Sequence, residues 1–364
     1  MGFSRLDKTS YNGNNITSIS VALVGLGTLG SELARLLGLL GVGSVTLIDN
    51  DRVEPVNAAQ NLFFRESASL SQPKVQVIAQ KGLIYFPQTR WVSLFSEIAD
   101  VGFGHLADCS LIFSATDSTL ARLETAYAAR RLSIPMVDVG LLGAAYWRGR
   151  AAWFPANKDA ACYLCQLHES KRAEILTFLQ SPTLPCQWTA ENMDMPSTPT
   201  MSSAIAGMAI DLAFRHGLLA EKVESLAWEF NLGNPPSLQS YQLAASITCP
   251  FHDFDDKATL ISLPHDIPLC QSLQTFNIEA IELDWPIVTT ATCLQCSHSW
   301  HPIRRVAWVR KYLCCPRCGE ANRLDLKALS RIAFDDPFAR YSPADLSYSK
   351  EHLYTPVHRN GRND

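Results

Sequence analysis

No apolar run in these 364 residues approaches the roughly 20 needed to span a bilayer. The first fifteen residues, MGFSRLDKTSYNGNN, lack the apolar stretch of a secretory signal. Leu6 stands where an N-myristoylation signal needs Ser or Thr. Charge is sparse as well: charged residues make up 18%, and 31 basic against 35 acidic side chains leave a net charge of −4. That balance offers no broad surface for nucleic acid or an anionic membrane. No internal repeat and no long low-complexity tract interrupts the chain. The expectation is a mildly acidic globular protein of the cytoplasm.

What is present fits that expectation. Hydrophobic residues reach 47%, and the length suits two domains, each with a buried core. Eleven cysteines in a reducing compartment favour metal sites over disulfides wherever they lie in close pairs.

The first 155 residues alternate strand-like and helix-like patterns. Strands are expected at Ile19–Gly25, Ser44–Asp49, Trp91–Ser96, Ser110–Ala115 and Met136–Val139, and helices at Thr28–Leu40, Gln72–Tyr85 and Ser118–Leu132. Such alternation marks an α/β fold, a doubly wound and mostly parallel sheet. Ala144–Phe154 then suits an antiparallel strand, Ser181–Thr200 a crossover loop, Met201–Leu219 an apolar helix, and Ser225–Leu232 and Leu238–Ser246 a closing pair of strands. The composition shifts after CPFHD, dividing the chain into residues 1–253, a small domain over 254–334, and an irregular polar tail over 335–364.

Between the first strand and helix, Gly25, Gly27 and Gly30 form GxGxxG in GLGTLG. The first glycine permits a tight turn, the second lets phosphate oxygens approach the backbone, and the third packs helix on strand. This motif alone serves NAD, FAD, S-adenosylmethionine or ATP, or is a packing turn. Asp49, ending the second strand, suits a ribose. Lys74 opens a helix where an ammonium meets phosphates, and Asp117 follows a buried strand where a carboxylate holds Mg²⁺. Taken singly, a solvated lysine and a helix-capping aspartate explain those two equally well.

In order, GLGTLG, DNDRVEPVN, QPKV, ATDS with a following arginine, and IPMVDVGLLG resemble the ThiF/MoeB family, similar in turn to the catalytic half of ubiquitin-activating enzymes. The resemblance covers about residues 19–252. It implies a Rossmann-like dimeric enzyme that uses ATP and Mg²⁺ to adenylate the C-terminal glycine of a small ubiquitin-like or sulfur-carrier protein. On that resemblance Asp49, with Asp51 in the same loop, binds ribose. Asn57 and Lys74 face the phosphates, Asp117 takes the magnesium, and Arg122 is either a site arginine or a surface helix residue. Gln60 stands where the family carries an arginine, and a neutral amide cannot balance charge on leaving pyrophosphate. Arg52, Arg65 or a partner's arginine are the candidate substitutes. The family's N-terminal arginine segment is also missing, with Arg5 the sole cation nearby.

Cys162 and Cys165 form a CxxC, and Cys249 with His252 a CxxH; three thiolates and an imidazole make a closed structural zinc set. Cys293, Cys296, Cys315 and Cys318 form two further CxxC knuckles 18 residues apart, a zinc ribbon stapling a domain with little core. Cys314 is the alternative to Cys315, and His298 and His301 read as surface residues. The adjoining RRVAWVRK suits a protein-binding arm better than nucleic acid. Cys109 and Cys270 read as core. Cys186, in the Pro-rich crossover SPTLPCQWTAENMDMPS, has no metal partner. It is either a free loop thiol or, as the resemblance implies, the thiolate that takes the activated acyl group as a thioester.

The first reading is therefore an activating enzyme for a ubiquitin-like protein, with a conjugating enzyme as a further partner of the ribbon. A sulfur-carrier adenylyltransferase for thiamin, molybdopterin or tRNA thiolation, or a tRNA-modifying dehydratase, is the second. A nucleotide-holding scaffold and an NAD oxidoreductase stand behind them.

Overall fold

The computed structural model describes residues 16–142, 147–180, 198–218, 220–221, 223–252, 260–321 and 323–358. They divide into two compact units.

The first unit is built on an eight-stranded sheet: β1 (Ser20–Val24), β2 (Ser44–Ile48), β3 (Arg90–Leu94), β4 (Leu111–Ser114), β5 (Met136–Leu141), β6 (Arg148–Phe154), β7 (Leu226–Asn231) and β8 (Ser237–Gln242). The order is β3-β2-β1-β4-β5-β6-β7-β8. The first five are parallel, and β6 to β8 run antiparallel. SVTLI of β2 and LIFS of β4 are buried at every position, as strands covered on both faces must be.

Covering helices are α1 (Thr28–Leu40), α2 (Pro55–Gln60), α3 (Lys74–Tyr85), α4 (Thr119–Arg131), α5 (Glu169–Gln180) and α6 (Pro199–Asp211). All but α5 lie in the first unit. Along α1, Gly30, Leu33, Ala34 and Leu37 are buried at helical spacing. The helix stops at Gly41, whose positive φ of 73° lets its N–H reach the Leu37 and Gly38 carbonyls. Beyond α6 the helix continues as wider turns over Leu212–Leu218, so the apolar helix expected at 201–219 is two conformations in one run.

Because β1 lies between β2 and β4, the chain leaves β1 to one side and returns on the other. In open α/β sheets the crevice beyond the carboxyl ends at such a reversal is where ligands bind. The GLGTLG loop, Asp49 and Asp117 all follow the carboxyl ends of those three strands.

The second unit collects residues from 255 onward, Gly102–His105 and residues 167–180, which include α5. Its strands are β9 (Ile261–Ser262), β10 (Ile278–Cys293), β11 (Ser299–Trp300), β12 (Arg304–Arg305), β13 (Leu324–Ala333) and β14 (Leu353–His358), with helices α7 (Leu269–Thr275) and α8 (Val306–Tyr312). The long β10 pairs antiparallel with β11, β12, β13 and β14. Two modest apolar clusters fill it, one around Leu269, Ile281 and Ile332 and one around Val288, Val306 and Val309. Helix α5 packs on α8 and β10.

Two expectations are corrected here. The tail is not irregular throughout: within it β14 buries Tyr354 and Pro356 alternately and pairs with β10 and β9. Nor does the second unit draw only on residues beyond 253, because Gly102–His105 and α5 belong to it. The Gly104 N–H donates to the Glu351 carbonyl at 2.7 Å, and Phe103 stacks on His352 at 5.7 Å. A Cβ on Gly102 would come within 2.4 Å of Glu351 backbone, so only glycine admits this approach. Composition along the chain carries no signal for a loop pairing with a segment some 250 residues away. Burial among these rings, with Arg305 nearby, pushes the His352 imidazole down to about 3 and keeps it neutral.

Candidate active site and metal centres

The glycine loop is a close-packed cradle. Gly25 has φ +87°, and a Cβ there would lie 2.8 Å from the Ala115 carbonyl oxygen. One on Gly30 would lie 1.9 Å from the Gly25 carbonyl oxygen. Above Gly27, at the N-terminus of α1, a Cβ would meet nothing within 4 Å. Open space over a helix N-terminus with unpaired N–H groups suits phosphate oxygens.

Asp49 ties this loop to the next strand. Its Oδ2 accepts the Leu26 N–H at 2.6 Å and its Oδ1 the Asp51 N–H at 2.7 Å. Burial raises the Asp49 carboxyl above its ordinary value, against the pull of Lys74. Each carboxylate oxygen retains a lone pair for a ribose hydroxyl. Asp51 is exposed and pairs with buried Lys74 at 2.8 Å, and the Lys74 N–H also donates to the Asp51 carbonyl. These bonds fix the start of α3 against the loop that follows β2.

Asn57 and Glu54 form a reciprocal capping box at the start of α2, with Asn57 Oδ1 accepting the Glu54 N–H at 2.9 Å. The side-chain amide N–H₂ of Asn57 remains for a ligand. Gln60, the last residue of α2, accepts the Thr28 hydroxyl at 3.1 Å, which brings it to the glycine loop. Arg52 is engaged elsewhere, donating to the Ser71 carbonyl at 2.9 Å and lying over Phe95. Arg65 is exposed. Arg5 lies outside the described residues.

Asp117 is exposed in the bend after β4, and the cap of α4 is Ser118, whose Oγ accepts the Ala121 N–H. The helix-cap alternative for Asp117 therefore falls away. A free carboxylate at the carboxyl end of β4 fits Mg²⁺, which takes one or two carboxylates and completes its shell with phosphate and water.

Arg122 is neither a surface residue nor aimed as a free cation. It is half-buried and paired with the buried Asp138 on β5 at 2.6 Å. A Cβ on Gly140 would come 2.7 Å from its guanidinium, so that glycine makes room for it. Desolvation raises the Asp138 carboxyl, and Arg122 offsets this. The sequence reading assigned Asp138 no role; an aspartate inside the apolar strand MVDVGL was the available signal.

Four ligand atoms converge at the first metal centre. Cys162 Sγ lies 3.7 Å from Cys165 Sγ and 3.5 Å from Cys249 Sγ, and Cys165 Sγ lies 3.2 Å from His252 Nε2. Tetrahedral zinc with bonds of about 2.3 Å spaces its ligands roughly 3.8 Å apart, so the set fits. Arg130 at the end of α4 donates to the carbonyls of Phe251, Asn157 and Lys158, and Tyr127 packs edge-on against Phe251. The knuckle thereby holds the end of α4, whose other end follows Asp117.

In the second unit Cys293, Cys296, Cys315 and Cys318 form the other set, with Cys293–Cys318 and Cys296–Cys315 both at 3.6 Å. Cys314 is exposed and outside it. His298 stacks on Trp300, and His301 Nδ1 lies 2.8 Å from the Thr289 carbonyl oxygen. Cys109 is buried at the start of β4, its thiol pushed up to about 11 by burial, and Cys270 is half-buried on α7. Cys186 lies outside the described residues. Among the described residues no helix is long and apolar enough to cross a membrane.

The model of the ThiF family matches residues 5–246. The sulfur carrier protein ThiS adenylyltransferase of Escherichia coli (strain K12) is 25% identical over 179 residues, 48% of this chain and 70% of that protein. The NEDD8-activating enzyme E1 catalytic subunit of Schizosaccharomyces pombe is 28% identical over 46% of this chain and 38% of its own length. The ubiquitin-activating enzyme E1-like protein of Saccharomyces cerevisiae is 28% identical over 33% and 19% respectively. The chain thus spans well under half of those two relatives. Among solved structures, E. coli MccB with MccA-N7isoASN superposes with a TM-score of 0.50 at 15% identity, covering 66% of this chain and 69% of that one, a likeness of fold.

Proposed function

The chain belongs to the ThiF family, and on that premise we propose that it uses MgATP to adenylate the C-terminal carboxylate of a ubiquitin-like protein. One observation carries this reading. The open cradle above Gly27, Asp49, the Lys74–Asp51 pair and the free carboxylate of Asp117 cluster at the sheet's reversal point. A hydride-transfer site has no use for the last two.

In the proposed reaction a carboxylate oxygen of the modifier attacks the α-phosphorus of ATP, and the bond to the β-phosphate oxygen breaks to release pyrophosphate. Asp49 orients the ribose while holding the glycine loop, and the α1 N-terminus receives the phosphates. Lys74 exchanges Asp51 for a phosphate oxygen. Asp117 would hold Mg²⁺, which neutralises phosphate charge when bound. In a second step the Cys186 thiolate attacks the acyl carbon and AMP leaves. The zinc sets staple their units, and the ribbon recruits the modifier or a conjugating enzyme. The working form is a cytoplasmic homodimer.

A sulfur-carrier protein as the substrate is the second reading, favoured by the 70% coverage of the ThiS adenylyltransferase. ATP–pyrophosphate exchange with panels of both substrate kinds separates them. Exchange is expected to depend on one kind, to vanish in Asp117→Ala and to survive in Cys186→Ala. Exchange that persists in Asp117→Ala, or needs no protein substrate, overturns the reading.

A further inference from the structure

We infer that the zinc end of the second unit is a docking surface for an acidic protein segment, with Leu294 as its apolar anchor and Arg317 and Arg323 beside it; this deepens the reading of the ribbon as a recruiting domain and rests on it. The sequence concentrates positive charge here. From Cys293 to Lys327 stand seven basic residues against two acidic ones, Glu320 and Asp325, in a chain of net charge −4. Four thiolates around one Zn²⁺ return two negative charges, and the segment stays positive.

The structure gathers part of that charge around an exposed apolar side chain. Leu294, inside the first knuckle, is 67% exposed. Its N–H donates to the carbonyl of Arg323, the residue that leads into β13, at 2.8 Å. Arg317 lies between Cys315 and Cys318 in the second knuckle, whose ligand atoms lie within 4.8 Å of those of the first. Both arginines are exposed, and among the described residues neither guanidinium has a hydrogen bond or ion pair. Arg304, by contrast, is committed: it donates to the Ile303 carbonyl and the Ser347 hydroxyl and lies over Trp308. An exposed leucine with unpaired arginines beside it complements an apolar residue set among carboxylates. Nucleic acid is served less well, since it needs a row of cations along its phosphates or free rings on which bases stack. Here His298 already stacks on Trp300 at 5.7 Å, and Trp308 carries Arg304 at 5.6 Å and Tyr312 at 5.4 Å. The anchor itself is aliphatic and offers no stacking plane.

The test is fluorescence anisotropy of the full chain with a labelled peptide of repeating Glu-Glu-Leu. The same peptide with Lys for Glu, and single-stranded oligothymidylate, serve as the comparison probes. The acidic peptide should bind, the basic one should not, and added salt should weaken binding by screening. Arg317→Glu with Arg323→Glu should weaken it at least about tenfold, and Leu294→Ala about threefold to tenfold. Arg317→Lys with Arg323→Lys keeps the charge and should bind within about threefold of the unmutated chain. Zinc content and the thermal unfolding midpoint should be unchanged in all three. No binding of the acidic peptide, equal binding to the charge-reversed chain, or tighter binding of oligothymidylate that depends on the same residues each overturns the inference. The assay needs neither nucleotide nor turnover. A chain that binds the peptide yet never supports pyrophosphate exchange loses the adenylation reading and keeps this surface; exchange without peptide binding does the reverse.

Discussion

Gly30→Ala should weaken nucleotide binding and destabilise the first unit, whereas Gly27→Ala should weaken binding at least about tenfold and leave stability intact. The added methyl of the first lies 1.9 Å from the Gly25 carbonyl oxygen. Gly25 cannot give way, since it sits at φ +87° with Ala115 backbone 2.8 Å from its own Cβ position. Helix α1 must therefore lift from β1, pulling Leu33, Ala34 and Leu37 out of the core. Overpacking of this kind costs about 1–3 kcal/mol or more. At Gly27 the methyl meets no protein atom within 4 Å, so folding is unaffected and the only thing displaced is what lies over the loop. Affinity for MgATP should fall by at least about tenfold, equivalent to 1.4 kcal/mol. Calorimetry and thermal unfolding on both variants check this. Normal MgATP affinity in Gly27→Ala would mean that the phosphates lie elsewhere.

Arg122→Ala should cost about 3 kcal/mol of unfolding free energy, because it leaves Asp138 as a buried carboxylate whose ion-pair partner is gone and which only the weaker field of Arg150 offsets. The pair is 2.6 Å apart, with side-chain exposures of 17% and 8%, so solvent cannot stand in for the lost guanidinium. Asp138→Ala should be similarly costly for the mirror-image reason. The double variant Arg122→Met, Asp138→Leu should recover most of the loss, since apolar side chains of like size often replace a buried pair at little cost. Urea unfolding of the three variants gives the coupling energy. A loss under about 1 kcal/mol in either single variant is the value expected of a solvated surface pair and would contradict this. Asp117 lies in the field of Arg122, and the pair anchors the first turns of α4 to β5. Nucleotide affinity should therefore fall with stability in the single variants and recover with it in the double.

These two cases mark what the sequence made legible. GLGTLG could be read because each glycine answers a local demand: a positive φ at Gly25, open space at Gly27 and contact at Gly30. The metal sets could be read because chelation requires fixed ligand spacing, and Cys315 rather than Cys314 joins the ribbon cluster. The parallel sheet followed from apolar runs separated by helical periodicity. Arg122 could not be read in the same way. Its partner lies sixteen residues on, in strand β5 rather than on its own helix, and the space it fills exists because Gly140 carries no side chain. The second unit was hidden for a related reason. Phe103 stacks on His352 just before β14, and α5 packs on β10, contacts between distant segments, while composition reports only neighbours along the chain. At Gln60 the sequence showed a missing cation, and the structure adds that its amide is hydrogen-bonded to the Thr28 hydroxyl at the glycine loop.

The most direct measurement of the central claim is intact-mass analysis of the proposed ubiquitin-like or sulfur-carrier substrate after a single turnover with MgATP, beside the same protein carrying a C-terminal amide. With Cys186→Ala, which blocks the transfer step, adenylation predicts a mass increase of one adenylyl group (AMP less water) on the free carboxylate form and none on the amide, with pyrophosphate released in equal amount. Equal labelling of both forms, or nucleotide turnover to ADP and phosphate with no substrate adduct, would contradict it.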